Sequence, residues 1–349
     1  MKDIVNIYIN GKEYICTKKA LRTEEGASCI DYHLEWLRTT LFNISFSNGK
    51  KPIKFDLYVY YADEINAFSR KNGDKEYMIG ISSAVFLNLP SELIKNFVNQ
   101  DIRKYFYGKK KNAKAHAYSV CEYIYLFIAL HEYYHILNGH LDISLNSNLM
   151  IEKSNVRIID KEKNLQMQIL ELDADFCAVR SCIYLINEML LESEERIIHY
   201  YFFGFALYYI FLIFQEAAYE TFHIKDLLIS DHPVASIRII YAFSAMVLYM
   251  NCDYNLANSL EYYEIIWKIA EVCIYYDRIY YDAETLDLSL TALGYSQKGM
   301  DHLNVLHEGW NDIKKKLEKV AYIKLKDNEK VDFKKFVWVN EKGDFIYKR

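Results

Sequence analysis

AYSVCEYIYLFIALHEYYHIL, running from Ala117 to Leu137, is the stretch on which the fold turns. It holds neither Gly nor Pro, and Glu122 is the only charged residue before His131-Glu132. Apolar side chains fall on nearly every side of a helix drawn through it, so it reads as a long, central, buried helix. The polar Asn138-Gly139 ends that helix. In such a setting His131-Glu132-Tyr133-Tyr134-His135 is expensive to bury unless its polar groups are bonded to something. His131 and His135, at i and i+4, lie about 40° apart around the helix and one turn along it, so both imidazoles can reach one metal ion. Glu132 is turned about 100° from His131, close enough to meet a metal-bound water without being a ligand. Tyr133 and Tyr134 read as packing residues.

A second helix, read over Asn164–Glu192, carries Glu171-Leu172-Asp173-Ala174-Asp175, with carboxylates at i and i+4. Two His and one Glu, with a fourth position left for water, is a catalytic zinc arrangement, which makes Zn2+ the expected cofactor. Asp175 is placed to accept an imidazole N–H and so fix a ligand's tautomer. The other reading, acids on the wet face of an amphipathic helix, suits Asp173. It suits Glu171 and Asp175 less, because Ala174, Phe176 and Ala178 suggest a buried setting. A three-His site that uses His140 fails on spacing, since Gly139 and His140 stand four and five residues beyond His135 rather than three and six. His307-Glu308 is no second site, because Asn311 stands where the second His is needed.

Outward from these helices, the composition agrees with a mostly helical α+β protein. Of 349 residues only 12 are Gly and 3 are Pro, which excludes collagen-like, Pro/Gly-rich disordered and turn-dense chains. Seven cysteines without a Cys-x-x-Cys pair argue against a zinc ribbon and for a reducing cytoplasm. A net charge of −5 argues against a general nucleic-acid binder; the basic run Lys109-Lys110-Lys111 with Lys114 reads as a solvated loop. The uncharged run Tyr200–Phe214 is 15 residues long, short of the roughly 18–20 that a membrane span needs, and reads as a buried helix, with a membrane-associated one as the alternative. Ile4–Ile9 and Glu13–Cys16 alternate around Asn10-Gly11 as a β-hairpin, and Lys54–Tyr61 and Tyr77–Ser83 read as strands. Ser91, after Pro90, is placed to cap the next helix. Further helices are expected near Glu195–Thr221, Val234–Met250, Leu256–Ile279 and Asp301–Glu318, then tail strands at Ala321–Leu325, Phe336–Val339 and Asp344–Tyr347.

Four blocks, in order, resemble the zinc peptidases that include the CAAX prenyl proteases and the heat-shock protease HtpX. They are Glu64-Ile65-Asn66-Ala67-Phe68, the helix from His131 to His140, Glu171-Leu172-Asp173-Ala174-Asp175, and His232-Pro233 followed by Arg238-Ile239. The blocks fall within about Phe55–Tyr241; the interval from the zinc helix to Glu171 is short for that family, and its transmembrane helices are not evident. The soluble Lit-like phage-exclusion peptidases, which act on a host translation factor, are similar in the zinc helix and the acidic motif.

The resemblance implies a minimal zincin core (a small mixed sheet with active-site helices) extended by C-terminal helices and terminal β-hairpins. It divides the chain into a hairpin extension at 1–51, a catalytic domain at 52–250 and a helical segment with a β tail at 251–349. It implies a zinc endopeptidase in which His131, His135 and Glu171 hold the metal, Glu132 is the general base and His232 stabilises the oxyanion. Asn66, Ala67 and Arg238 would meet the substrate, a protein or peptide, and Tyr77–Ser83 would be the edge strand that pairs with it. An activating or inhibiting protein is an expected partner; nucleic acid and a stable membrane span are not. A zinc-containing binding or regulatory protein and a membrane-associated peptidase are the alternatives.

Overall fold

A computed structural model describes residues 3–9, 11–22, 26–47, 53–99, 113–143, 149–151, 160–189, 193–216, 227–228, 230–252, 259–280 and 294–326. The strands are β1 Ile4–Ile9, β2 Lys12–Thr17, β3 Lys54–Tyr60, β4 Ala67–Gly73, β5 Glu76–Ser82 and β6 Leu149–Ile151. The helices are α1 Ala27–Ser47, α2 Ser83–Leu87, α3 Leu89–Asn99, α4 Ala113–Leu137, α5 Lys161–Glu188, α6 Ser193–Glu216, α7 Ala235–Cys252, α8 Ser259–Tyr280 and α9 Gln297–Leu317. The protein is α+β and mostly helical, as its composition implies. The chain forms two compact units.

The first unit draws on Met1–Glu92, Tyr125–Val156 and Asp312–Asp327. Its strands make one mixed sheet in the order β1-β2-β3-β5-β4-β6. The hairpin is not set apart from the strands after residue 52, because β2 pairs with β3 through Cys16↔Tyr60 and Thr17↔Val59. β5 is interior rather than an edge, running parallel to β3 and antiparallel to β4. The expectation that Tyr77–Ser83 offers a free edge to a substrate is therefore corrected. The outer side of β4 is itself paired at Phe68–Arg70 with β6. Period-2 alternation puts Ile7, Ile9, Cys16, Tyr58, Tyr60, Phe68 and Met78 into one buried cluster. Gly80 is required there, since a Cβ would stand 2.2 Å from the Phe68 ring.

α1 was not expected from the sequence. It buries Ile30, Leu34, Leu37 and Leu41, one stripe at helical spacing, and packs on β3 and α2. α3 begins at Leu89, which puts Pro90 in its first turn and Ser91 inside the helix rather than at its cap. α4 ends at Asn138-Gly139 as expected. Gly139 has φ 78°, and a Cβ on it would meet Val320 at 2.8 Å. Ala321–Leu325 is irregular rather than a strand, because Tyr322 N–H closes the end of α4 on Leu137 O at 2.8 Å. A short 3-10 turn, His140–Asp142, follows α4. Asp142 accepts from Lys71 and, at 2.7 Å, from the Tyr77 hydroxyl, which also meets the Tyr322 hydroxyl at 3.0 Å.

The second unit draws on Leu93–Ile124 and Arg157–Asn311 and is helical, with α5 and α8 each packed on α6 and α7. α5 starts three residues before its expected Asn164 because Asp160 caps it, accepting from Glu162 N and Lys163 N at 3.1 Å. The run Tyr200–Phe214 lies within α6. Glu194–Phe214 is long and apolar enough to cross a membrane, yet 67% of its most apolar window is buried inside the protein. Lys109–Lys111, Phe336–Val339 and Asp344–Tyr347 lie outside the described residues.

Candidate metal centre

His131, His135 and Glu171 are all buried, and one ligand atom from each comes to within 4.8 Å of the others. The Nε2 atoms of His131 and His135 converge to 3.0 Å. That follows from their i, i+4 placement on α4, where the neighbouring residues from Tyr123 to Leu137 are buried. Two imidazole nitrogens and a carboxylate oxygen gathered in a buried site suit a divalent cation, and the set can hold a metal ion.

The other ring nitrogen of His135 is also engaged: Nδ1 lies 2.8 Å from Nδ1 of buried His140. If His135 offers its Nε2 lone pair to a metal, its Nδ1 carries the proton and donates to His140, which must then be protonated at Nε2. His140 thus does for His135 what the sequence reading assigned to Asp175. The turn at Gly139 is what swings His140 back to the helix.

Asp175 has a different partner. Both its oxygens accept from Arg238, from Nε at 2.8 Å and from Nη2 at 2.7 Å. The guanidinium is 3% exposed, lies 4.5 Å over the Phe211 ring and stands 4.0 Å from Glu171 Oε2. Arg238 thus meets the protein's own Asp175 carboxylate. Placed in this way, its charge faces both acids of the motif.

His232 approaches the same carboxylate, with Nε2 3.6 Å from Glu171 Oε1, and its Nδ1 is 2.9 Å from Asp231 Oδ1. Burial raises the Asp231 carboxyl, but the hydrogen bond from His232 and its charge, with Ser230 adding a further bond, hold it below the usual carboxylate range. Asp231 was not singled out from the sequence. Its signal was only its place beside His232, which in a loop carries little weight.

Two more residues escaped the sequence reading. Asn164 Nδ2 donates to Leu228 O at 2.7 Å, and Gln168 Nε2 donates to Leu227 O and Ser230 O at 2.8 Å each. With Glu171 and Asp175 they make one polar stripe, 164, 168, 171 and 175, along a single face of α5, and all four side chains are buried. Buried polar residues at helical spacing, running N-terminal from the acidic motif, were the available signal.

Asn66 and Ala67 have structural places at the start of β4. Asn66 Oδ1 accepts from Ala67 N–H at 2.8 Å, its backbone is bonded to Ser82, and the Ala67 side chain is fully buried. The structure gathers His131, His135 and Glu171 into one possible ligand group, and it sets His232 and Arg238 beside Glu171 and Arg238 on Asp175. Glu132, 1% exposed, lies on α4 between the two ligands. Neither protein-family models nor curated proteins nor solved structures match this chain.

Proposed function

We propose that the protein is a zinc-dependent endopeptidase acting on a protein or peptide substrate. The observation that carries this reading is Glu132, a buried carboxylate that the ligand group does not use, set on the same helix between His131 and His135. A site that only needed a metal for stability has no need of a base in that position. The four motif blocks of the zinc peptidases agree with it.

His131, His135 and Glu171 would hold the ion, and Zn2+ bound there would supply a Lewis acid for water and for the scissile carbonyl. Glu132 accepts the proton of the attacking water at a carboxylate oxygen as the new C–O bond forms. It returns that proton to the amine nitrogen as the peptide C–N bond breaks. His232, with Nδ1 turned to Asp231, directs Nε2 toward the ligand group and stabilises the charge that develops on the carbonyl oxygen. Arg238 and His140 hold Glu171 and His135 in their orientations.

The test pairs metal analysis of wild type and His135→Ala with a proteome-wide search for new protein termini, comparing wild type and Glu132→Gln. One zinc per chain in wild type, its loss in His135→Ala, and termini that vanish in Glu132→Gln are expected. Stoichiometric zinc without any Glu132-dependent cleavage would instead make the protein a zinc-containing binding protein.

A further inference from the structure

The carboxamide of Gln168 lies one turn before Glu171 on α5, fully buried, and all of its hydrogen-bonding capacity faces the loop that carries His232 or the helix behind it. Nε2 is 2.8 Å from the carbonyls of both Leu227 and Ser230 and 3.5 Å from that of His232. Oε1 is 2.9 Å from Nε2 of His302, on α9. Carbonyl oxygens only accept, so the Gln168 nitrogen must face them with its two protons, and the amide oxygen must face His302. His302 is then protonated at Nε2 and donates. The amide has one orientation consistent with its neighbours, fixed by the carbonyls on one side and by His302 on the other.

We propose that Gln168 is the positioning residue for His232. Two donated bonds, to Leu227 O and Ser230 O, hold the backbone before Asp231-His232. That backbone sets where the ring lands, 3.6 Å from Glu171. Because Gln168 and Glu171 are three residues apart on one rigid helix, the ligand and the imidazole are located by the same element. Asn164, one turn earlier, holds Leu228 O and extends the grip. The described residues 227–228 and 230–234 form neither helix nor strand, so the helix supplies the precision.

The inference rests on the peptidase reading for its kinetic consequence but not for its structural one. Gln168→Glu keeps the shape, retains an acceptor for His302 and turns an oxygen in place of the donor toward two carbonyls. His302→Phe is the milder second variant, which leaves Gln168 in place but takes away the donor that holds its amide oxygen. Each is compared with wild type by 15N NMR of the His232 imidazole, by zinc content and by turnover of the Glu132-dependent substrate.

The expected results are a slowly exchanging His232 Nδ1–H resonance in wild type, its loss in Gln168→Glu and its weakening in His302→Phe, with one zinc per chain retained in all three. Turnover falls at least tenfold in Gln168→Glu while KM stays within about twofold, as for a group that acts on the transition state through another. Persistence of the resonance in Gln168→Glu overturns the proposal. So does loss of zinc together with the resonance, which would make Gln168 a support of the ligand group in general. Should Gln168→Glu not fold, His302→Phe decides by the same resonance. If wild type binds zinc but cleaves nothing, the peptidase reading fails, and the resonance still decides the role of Gln168.

Discussion

Arg238 grips Asp175 with two parallel bonds, Nε to one carboxylate oxygen at 2.8 Å and Nη2 to the other at 2.7 Å, and both side chains are almost fully buried. A buried pair of this kind adds little net stability over a well-packed apolar pair, yet removing one partner is severe. Arg238→Leu takes away the cation that faces both Asp175 and Glu171 and is expected to cost about 3–5 kcal/mol. Replacing both residues with Leu should recover a large part of that loss, because no buried charge of the pair remains. Urea unfolding of the three proteins measures it. A double variant no more stable than Arg238→Leu would show that the pair does not act as a unit.

The part of the site that was legible in the sequence is the part that is local. His131, Glu132 and His135 declare themselves by spacing within one apolar helix, and Glu171 and Asp175 by spacing within another. What joins them was not legible. Arg238 is 63 residues from Asp175, and nothing in either segment says which acid a buried Arg will choose. The order of strands is likewise non-local: the resemblance implied that β5 is an edge open to a peptide, but β3 flanks it in parallel and β4 antiparallel. α1 is a different case. Its stripe of Ile30, Leu34, Leu37 and Leu41 is as periodic as any helix in the chain, and it was readable.

Gly139 should not tolerate a side chain. Its φ of 78° is strained for an L residue, and a Cβ would press on Val320 Cγ2 at 2.8 Å and on the Ala321 nitrogen at 3.1 Å. Gly139→Ala is expected to destabilise by about 1–3 kcal/mol. The same change displaces His140, the partner of His135, so zinc affinity should fall in parallel. Thermal unfolding and competition with a zinc chelator read the two effects. Weaker stability with unchanged affinity would separate His140 from the metal site.

The cysteines offer a map of burial. Burial pushes the Cys16 thiol up to about 12, with Arg70 pulling the other way, and it pushes Cys182 and Cys273 well above their ordinary value. A thiol at about 12 is only about one part in 10,000 thiolate at pH 8, and the thiolate is the reactive form. Cys29 is exposed. Among the described cysteines, Cys29 should therefore be modified rapidly by a disulfide reagent in the native protein. Cys16, Cys121, Cys182 and Cys273 should react only on unfolding, at the rate of global opening. Peptide mapping after timed labelling distinguishes the two groups.

Metal removal should destabilise the protein in a manner that depends on free zinc and on pH. A ligand that binds the folded chain and not the unfolded one adds RT ln(1 + [L]/Kd), about 4 kcal/mol at a thousandfold excess over Kd. Protons compete with a cation for two imidazoles and a carboxylate, so affinity should fall as pH drops through the ordinary imidazole range near 6.5. The sign is fixed: the zinc-dependent part of the stability is full above that range and disappears below it. Differential scanning calorimetry with and without chelator, from pH 5 to pH 8, measures it as two curves that merge at the acid end. In His135→Ala the curves should coincide at every pH, whereas in Glu132→Gln, where the ligands are intact, the gap should persist. Coincident curves in the wild type would remove the metal from His131, His135 and Glu171 altogether.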